Sequence, residues 1–392
     1  MTQGTAIFHT VVAGVIAAIT GFASSFALVI AGFTAVGATD SQAASGLFAL
    51  CIATGVTCIV LPIMLRMPVS FAWSTPGAAL LVSAAATTQQ FGAATGAFLV
   101  CGALIVVAGL WPAFGRLITS IPKPLASAML AGILFPICLA PVTASVQQPA
   151  IAVPMVIVWL LLARLAPRWA VPAAMGVAVV GIAIIAGPSV LDAPTVTPAL
   201  QFVPPVFDPA VIVSLGLPLF VVTMAGQNVP GFAVMSTFGY EAPPRPVLVS
   251  SGVAGMGSAL FGGHAINLAA ITAAIMAGPE SNPDPAKRWV ATVSAGVSYL
   301  VLGVAAGLAA AIVQASPPII ITAVAGLALL GALVAAVTSA LERADARIAA
   351  IGTFLVTASG IAVAGIGSAF WGLLVGGVLL LWLRPRRVRA DT

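Results

Sequence analysis

FGGHAINLAAI (residues 261–271) sets an imidazole, His264, and an amide, Asn267, in a run otherwise made of Phe, Gly, Ala, Ile and Leu. The Phe261-Gly262-Gly263 stretch can break a helix ahead of them. The apolar segment that follows, 268–278, is too short to cross a ~30 Å hydrocarbon core, which takes about 20 helical residues. One other segment has the same defect: 75–87, preceded by VSFAW at 69–73. How the chain uses two half-length segments decides its fold.

The rest of the chain leaves no doubt about the solvent. Of its 392 residues 61% are hydrophobic and 6% charged, and the mean hydropathy is +1.19. A water-soluble chain of this length needs far more charge to cover its surface. Strands of a membrane barrel would need alternating polarity, which is absent. The chain reads as an all-α polytopic membrane protein. The first apolar run, about 8–36, lacks a basic leader region and is too long for a signal-peptide core, so it is expected to stay as a span. Cys51, Cys58, Cys101 and Cys138 show no C-x-x-C spacing and are expected to be small core residues, with no metal.

Spans fall near 8–33, 42–64, 75–87, 91–112, 122–140, 150–164, 169–187, 209–228, 245–261, 268–278, 288–313, 317–338, 346–366 and 369–383. The positive-inside rule tests this count of fourteen. With the N-terminus cytoplasmic, Arg66, Arg116, Lys123, Arg164, Arg168, Arg245, Lys287, Arg288, Arg343, Arg347 and the tail Arg384, Arg386, Arg387 and Arg389 all land on one face; these are the 14 basic residues of the chain. Asp40, Asp192 and Asp208 are the charges of the opposite connections. A wrong count would scatter the arginines. The net charge of +5 thus follows from topology and does not imply nucleic acid. Both termini are expected in the cytoplasm, with the tail 384–392 anchored on membrane lipids.

Seven spans precede the Pro- and Asp-rich loop 188–208 and seven follow it, so repeats 1–187 and 209–383 must insert in opposite senses. That is the 7+7 inverted repeat of secondary transporters. A weak echo supports it: KPLASAMLAGIL (123–134) aligns with PPIIITAVAGLA (317–328) at an offset of 194, and the same offset lays AWSTPGAAL (72–80) over INLAAITAA (266–274). The two short segments coincide. Extended backbone at membrane depth is tolerated only where its N–H and C=O groups pair within the protein. Two such stretches lying antiparallel could pair with each other, and half-helices 3 and 10 would then start near the bilayer centre. Their converging N-termini would make an anion site without any Arg or Lys. The competing reading is two ordinary surface turns.

Polar residues inside the spans gather at repeat-matched places. The first span carries Thr20, Ser24 and Ser25, the third Trp73, Ser74 and Thr75, the eighth Thr223, Gln227 and Asn228 before a helix-breaking Pro230, and the tenth His264 and Asn267. The serines have a bland alternative in bonding back to their own helix. Trp73 is either a stacking residue or an interfacial belt aromatic. No Asp or Glu lies in a span, and His264 is the one deep ionisable side chain. If transport is coupled to protons, the carrier is His264, with an ordinary pKa near 6.5, or the substrate's own acid group. A satisfied core imidazole is the alternative for His264. A membrane enzyme would need a nucleophile–base pair or metal cluster, and one deep histidine offers neither. The G-x-x-x-G pairs Gly92/Gly96 and Gly372/Gly376 fit a homodimer or packing inside one chain.

Five ordered motifs, AWSTPGAALLV (72–82), AMLAGIL (128–134), VTMAGQNVPG (222–231), FGGHAINLAAITAAI (261–275) and VTASGIAVAGIGSAFWGLL (356–374), resemble the benzoate:proton symporter family. The resemblance covers essentially the whole chain. It implies a distant relation to nucleobase and sulfate transporters, a core of spans 1–4 and 8–11 moving against a gate of spans 5–7 and 12–14, and benzoate or a similar aromatic carboxylate as substrate. Nucleobase relatives carry carboxylates in spans 8 and 10, where this chain has Gln227–Asn228 and His264–Asn267. Loss of fixed negative charge suits an anionic substrate, since a nearby carboxylate would repel it at low dielectric.

The expected activity is therefore import of an aromatic carboxylate with a proton by alternating access across a bacterial-type inner membrane. No cofactor is expected beyond the proton gradient. The carboxylate would meet backbone amides of Ser74, Thr75 and Gly77 and of Asn267, Leu268 and Ala269. Its ring would lie against Phe22 and Trp73, with Ser24, Thr223, Gln227, Asn228, His264 and Ile266 completing the site. Alternatives are a passive anion channel or uniporter, a carrier of another small organic anion or a nucleobase, and a membrane receptor or scaffold.

Overall fold

The computed structural model describes residues 3–111, 113, 122–186 and 197–383. Arg116, Asp192 and the basic tail, which entered the charge count, lie outside them, as does the 188–196 part of the loop 188–208. The first repeat comprises α1 (Gln3–Ala35), α2 (Asp40–Leu65), β1 (Phe71–Trp73), α3 (Thr75–Ser83), α4 (Phe91–Leu110), α5 (Lys123–Gln147), α6 (Pro149–Leu165) and α7 (Pro167–Ala186). The second comprises α8 (Pro209–Thr237), α9 (Pro244–Ala259), β2 (Ile266–Leu268), α10 (Ile271–Ala277), a broken α11 (Trp289–Val304 and Ala306–Gln314), α12 (Pro318–Leu341), α13 (Arg347–Ala358) and α14 (Ser368–Trp382). The two parts of α11 meet at a 54° bend. Every expected span has its counterpart, and α3 and α10 are the short ones, at nine and seven residues.

The packing obeys the inverted repeat. α4 lies on α9, and its repeat-mates α11 and α2 lie on each other. α6 pairs with α7 as α13 pairs with α14, while α5 and α12, mates of one another, pack together on the pseudo-symmetry axis. Small residues allow the close approach. At Gly326 of α12 a Cβ would strike the Ile137 carbonyl of α5, and at Gly102 of α4 one would lie 3.0 Å from the Gly252 carbonyl of α9. Both G-x-x-x-G pairs are consumed within the chain: Gly92 and Gly96 receive the backbone of Pro204 and Val206, and Gly372 and Gly376 receive Thr357 and Thr353. They leave no small-residue groove of their own for a second copy.

The two largest boundary shifts each have a local reason. α8 does not stop at Asn228 before Pro230 but runs on to Thr237. Each proline is preceded by a π-turn, Ile212–Gly216 before Pro218 and Met224–Asn228 before Pro230. The Leu217 amide reaches Ile212 O and the Val229 amide reaches Met224 O. A proline has no amide to donate and its ring crowds the carbonyl four residues back, so the wider turn absorbs the defect without ending the helix. α13 ends at Ala358 rather than 366, because Val363-Ala364-Gly365-Ile366 makes a tight hairpin turn joining β3 (Ala362–Val363) to β4 (Ile366–Gly367). Ala364 and Gly365 both have positive φ, 53° and 76°, as a type I′ turn requires.

Gly326→Val should lower the melting temperature of the purified protein, since overpacking a close helix contact typically costs about 1–3 kcal/mol. Gly331→Val, in the same helix but with nothing within 4 Å of its added Cβ, should melt as wild type does.

Candidate functional site

β1 and β2 cross antiparallel at membrane depth, with Phe71 opposite Leu268, Ala72 opposite Asn267 and Trp73 opposite Ile266. The ladder extends one step at each end: Ser74 N donates to Ala265 O and Ala269 N to Ser70 O, both at 2.9 Å. These two bonds exchange under the pseudo-twofold axis when residues are matched at an offset of 195 positions, one more than the helix alignment implies. A twofold axis through an antiparallel ladder must pass between directly opposed residues, here Ala72 and Asn267, so an even offset cannot hold at the strands.

A two-stranded ladder has two open edges, and neighbouring helices serve both. On the β1 edge the Phe71 amide donates to Cys58 Sγ at 3.2 Å, and that thiol donates back to Phe71 O at 3.4 Å. On the β2 edge Leu268 N donates to Asn228 Oδ1 at 2.8 Å. Cys58 is thus more than core filling, and Asn228, whose Nδ2 faces Met224 Sδ, is tied to the strand rather than free for a ligand.

Ser74 caps α3. Its Oγ accepts from Gly77 N at 3.1 Å and from Thr223 Oγ1 at 3.0 Å. The expected donors to an anion must be corrected accordingly. The amides of Ser74, Gly77, Leu268 and Ala269 all have protein partners, and Asn267 is enclosed within the ladder. Among the described residues, the amide of Thr75 in α3 and those of Ala270 and Thr272 at the start of α10 make no hydrogen bond. Gly226, in the π-turn of α8, lies beside Pro76 of α3 and Leu130 of α5. Its neighbour Gln227 is partly exposed and its amide has no partner among the described residues. Of the adjacent pair, Asn228 holds the strand and Gln227 is available.

An aromatic wall adjoins the crossing. Trp73 is 2% exposed, which rules out an interfacial belt role. Its ring meets Phe22 edge-on at 6.1 Å and Tyr299 at 5.6 Å, and Phe22 stacks on Phe26 at 5.2 Å. Trp73 Nε1 donates to Ser25 Oγ at 2.9 Å, and Ser25 donates in turn to Gly21 O at 2.8 Å. Among the described residues Ser24 bonds only to Gly21 O, and it stays partly exposed. The adjacent serine, not Ser24, therefore fixes the tryptophan. Tyr299 escaped the sequence reading; its signal was to be one of two tyrosines in the chain and to fall inside a span.

His264 lies just before the ladder and packs on its own aromatic neighbours. It precedes β2 by two residues and is fully buried, with ring contacts to Phe33 at 5.6 Å and Phe98 at 6.4 Å. Nδ1 lies 3.1 Å from Ala265 O, and Nε2 has no partner. Phe22 and Phe33 are eleven residues apart on α1, roughly 16 Å along the axis, so the imidazole packs against a different stretch of α1 from the one that meets Trp73. Ile266 and Leu268 are buried strand residues, Ile266 opposite Trp73 and Leu268 against Gly231 of α8. Asn267 donates to Leu268 O at 2.9 Å and its Oδ1 is left unpaired. A concavity of about 600 Å³ between α2 and α9, lined by Val56, Val60, Val253 and Phe261 among others, includes none of these residues.

Crossed strands that launch two half-helices inside an inverted repeat define a polytopic membrane transport protein. Two solved structures show the same fold: the transmembrane domain of the cyanobacterial bicarbonate transporter BicA (TM-score 0.57, 15% identity, covering 95% of this chain and 98% of that one) and the murine anion transporter Slc26a9 in its inward-facing state (TM-score 0.60, 13% identity, 95% and 68%). The chain belongs to the benzoate membrane transport protein family, whose model matches residues 5–381. It is 42% identical over 370 residues to the inner membrane protein YdcO of Escherichia coli, with 94% of each chain covered. It is 34% identical over 337 residues to the benzoate membrane transport protein of Acinetobacter baylyi, covering 85% of this chain and 84% of that one.

Asn228→Ala would strand the buried Leu268 amide. The expected loss is about 1–3 kcal/mol of stability, read as a lower melting temperature of the purified protein without ligand.

Proposed function

We propose that the protein imports benzoate or a closely similar aromatic carboxylate together with a proton, by alternating access, across a bacterial inner membrane with both termini cytoplasmic. One observation carries the reading. The first turn of α3, with its unpartnered Thr75 amide, lies beside the π-turn that presents the unpartnered Gln227, and the strand before α3 ends in Trp73, which forms the aromatic wall with Phe22 of α1. Hydrogen-bond donors and a helix N-terminus on one side, and aromatic surface on the other, suit a carboxylate on a ring. The names of the relatives support the substrate class and the membrane.

Packing supports the mechanical division. α1–α4 and α8–α11 form one set of contacts around the crossing, and α5–α7 with α12–α14 form another. Gly226 of the first set faces Leu130 of the second. A ligand held there is alternately opened to each side as one set moves against the other. For the proton, the full burial of His264 against Phe33 and Phe98 rather than Phe22 favours the substrate's own acid group as carrier. No residue beyond the chain's own and no cofactor enters the scheme; the energy source is the proton gradient.

In proteoliposomes, labelled benzoate should accumulate when an acid-outside gradient is imposed, and an uncoupler should abolish the accumulation. Uptake that only equilibrates would instead assign a passive uniporter. His264→Asn should keep gradient-driven accumulation, and its loss would return the proton to the histidine. Gln227→Ala should raise the half-saturating benzoate concentration about tenfold, the equivalent of one hydrogen bond to a charged group.

A further inference from the structure

We propose that Tyr299 is a substrate-binding residue whose hydroxyl donates a hydrogen bond to the carboxylate. The inference rests on the transport reading above and adds to it a residue from α11.

Tyr299 is 3% exposed, yet its hydroxyl makes no hydrogen bond among the described residues. A phenol buried without a partner is disfavoured, and tyrosine in such a place is normally found with an acceptor. Phenylalanine would give the same ring contact with Trp73 at no such penalty, so the oxygen needs an explanation. The oxygen also differs from the chain's sealed orphans. The hydroxyls of Thr54, Ser70 and Thr95 are fully sealed within the protein, and that of Tyr299 is not among them.

The direction of the hydroxyl is fixed by Gly21. A Cβ added at Gly21 would lie 2.5 Å from Tyr299 Oη and 3.7 Å from Thr272 Cγ2. The missing side chain of α1 therefore leaves the gap into which the phenol projects, between α1 and α10. No backbone acceptor waits on the α1 side. Gly21 O already receives Ser24 Oγ at 3.0 Å and Ser25 Oγ at 2.8 Å, and a carbonyl oxygen has two lone pairs. Ser25 also takes the Trp73 indole, whose one donor is thereby spent. The phenol is left as an uncommitted donor beside an aromatic wall. The class of ligand that satisfies both is an anion on an aromatic ring.

The test uses the full-length protein purified in detergent, with benzoate as the probe. Isothermal titration of Tyr299→Phe should show at least about a tenfold weaker benzoate affinity than wild type, and the ligand-free melting temperature should be unchanged or higher. Equal benzoate affinity in the variant would overturn the proposal. So would a clear drop in the ligand-free melting temperature, since that would reveal an internal partner for the hydroxyl. Absence of benzoate binding in wild type would instead sink the transport reading on which the proposal rests, an outcome distinguishable because it precedes any substitution.

Discussion

The pairing of exposed backbone in hydrocarbon governs this molecule. An amide or carbonyl without a partner at membrane depth costs several kcal/mol, and a strand laid there has two edges to satisfy. Here one edge of each strand is satisfied by the other strand. On the outer edges the Phe71 amide and carbonyl are met by Cys58 from α2, and the Leu268 amide by Asn228 from α8. Because the strands come from opposite repeats, the polar backbone of each half is completed by the other. The helical repeats are held around that ladder, and it places the starts of α3 and α10 in the interior, where a helix terminus can meet a ligand rather than lipid headgroups.

Around the crossing the chain economises on side chains. Glycine and alanine at the helix contacts bring backbones to within reach of one another, which substitutes dispersion contacts for the hydrophobic driving force that lipid does not supply. The same smallness shapes the site. Gly21 leaves room for a phenol and Gly226 for a close pass of α8 over Pro76. Both are absences of a side chain, and both lie on elements that carry the few polar groups of the interior.

What could be read from the sequence divides along physical lines. Span number and repeat followed from hydropathy and from the arginines, because insertion is governed by length and charge summed over many residues. The crossing followed from two segments too short to span. The finer errors came where one residue decides. An offset of 194 from the Gly132–Gly326 match becomes 195 at the strands because a ladder admits only opposed pairs. Pro230 looked like a stop, since nothing local announces that a π-turn will carry the helix past it. Ser24 and Ser25 are chemically identical neighbours, and only the angular position of Trp73 selects Ser25. Asn228 and Gln227 differ in the same way. Tyr299 gains its meaning from Trp73, 226 positions away, a contact no spacing rule reaches.

The crossing also sets a clock for biogenesis. β1 leaves the ribosome 195 positions before its partner, so at ~5–20 residues per second the first half waits roughly 10–40 seconds with one strand edge open. During that interval α1–α7 cannot be a finished membrane domain, and the segment before α3 must remain near water, the translocon or an insertase rather than in lipid. Assembly of the two repeats is then a single late event, triggered when β2 arrives. A chain truncated between the repeats would be an insertion intermediate with an unmet polar edge, the kind of species that membrane quality-control proteases recognise.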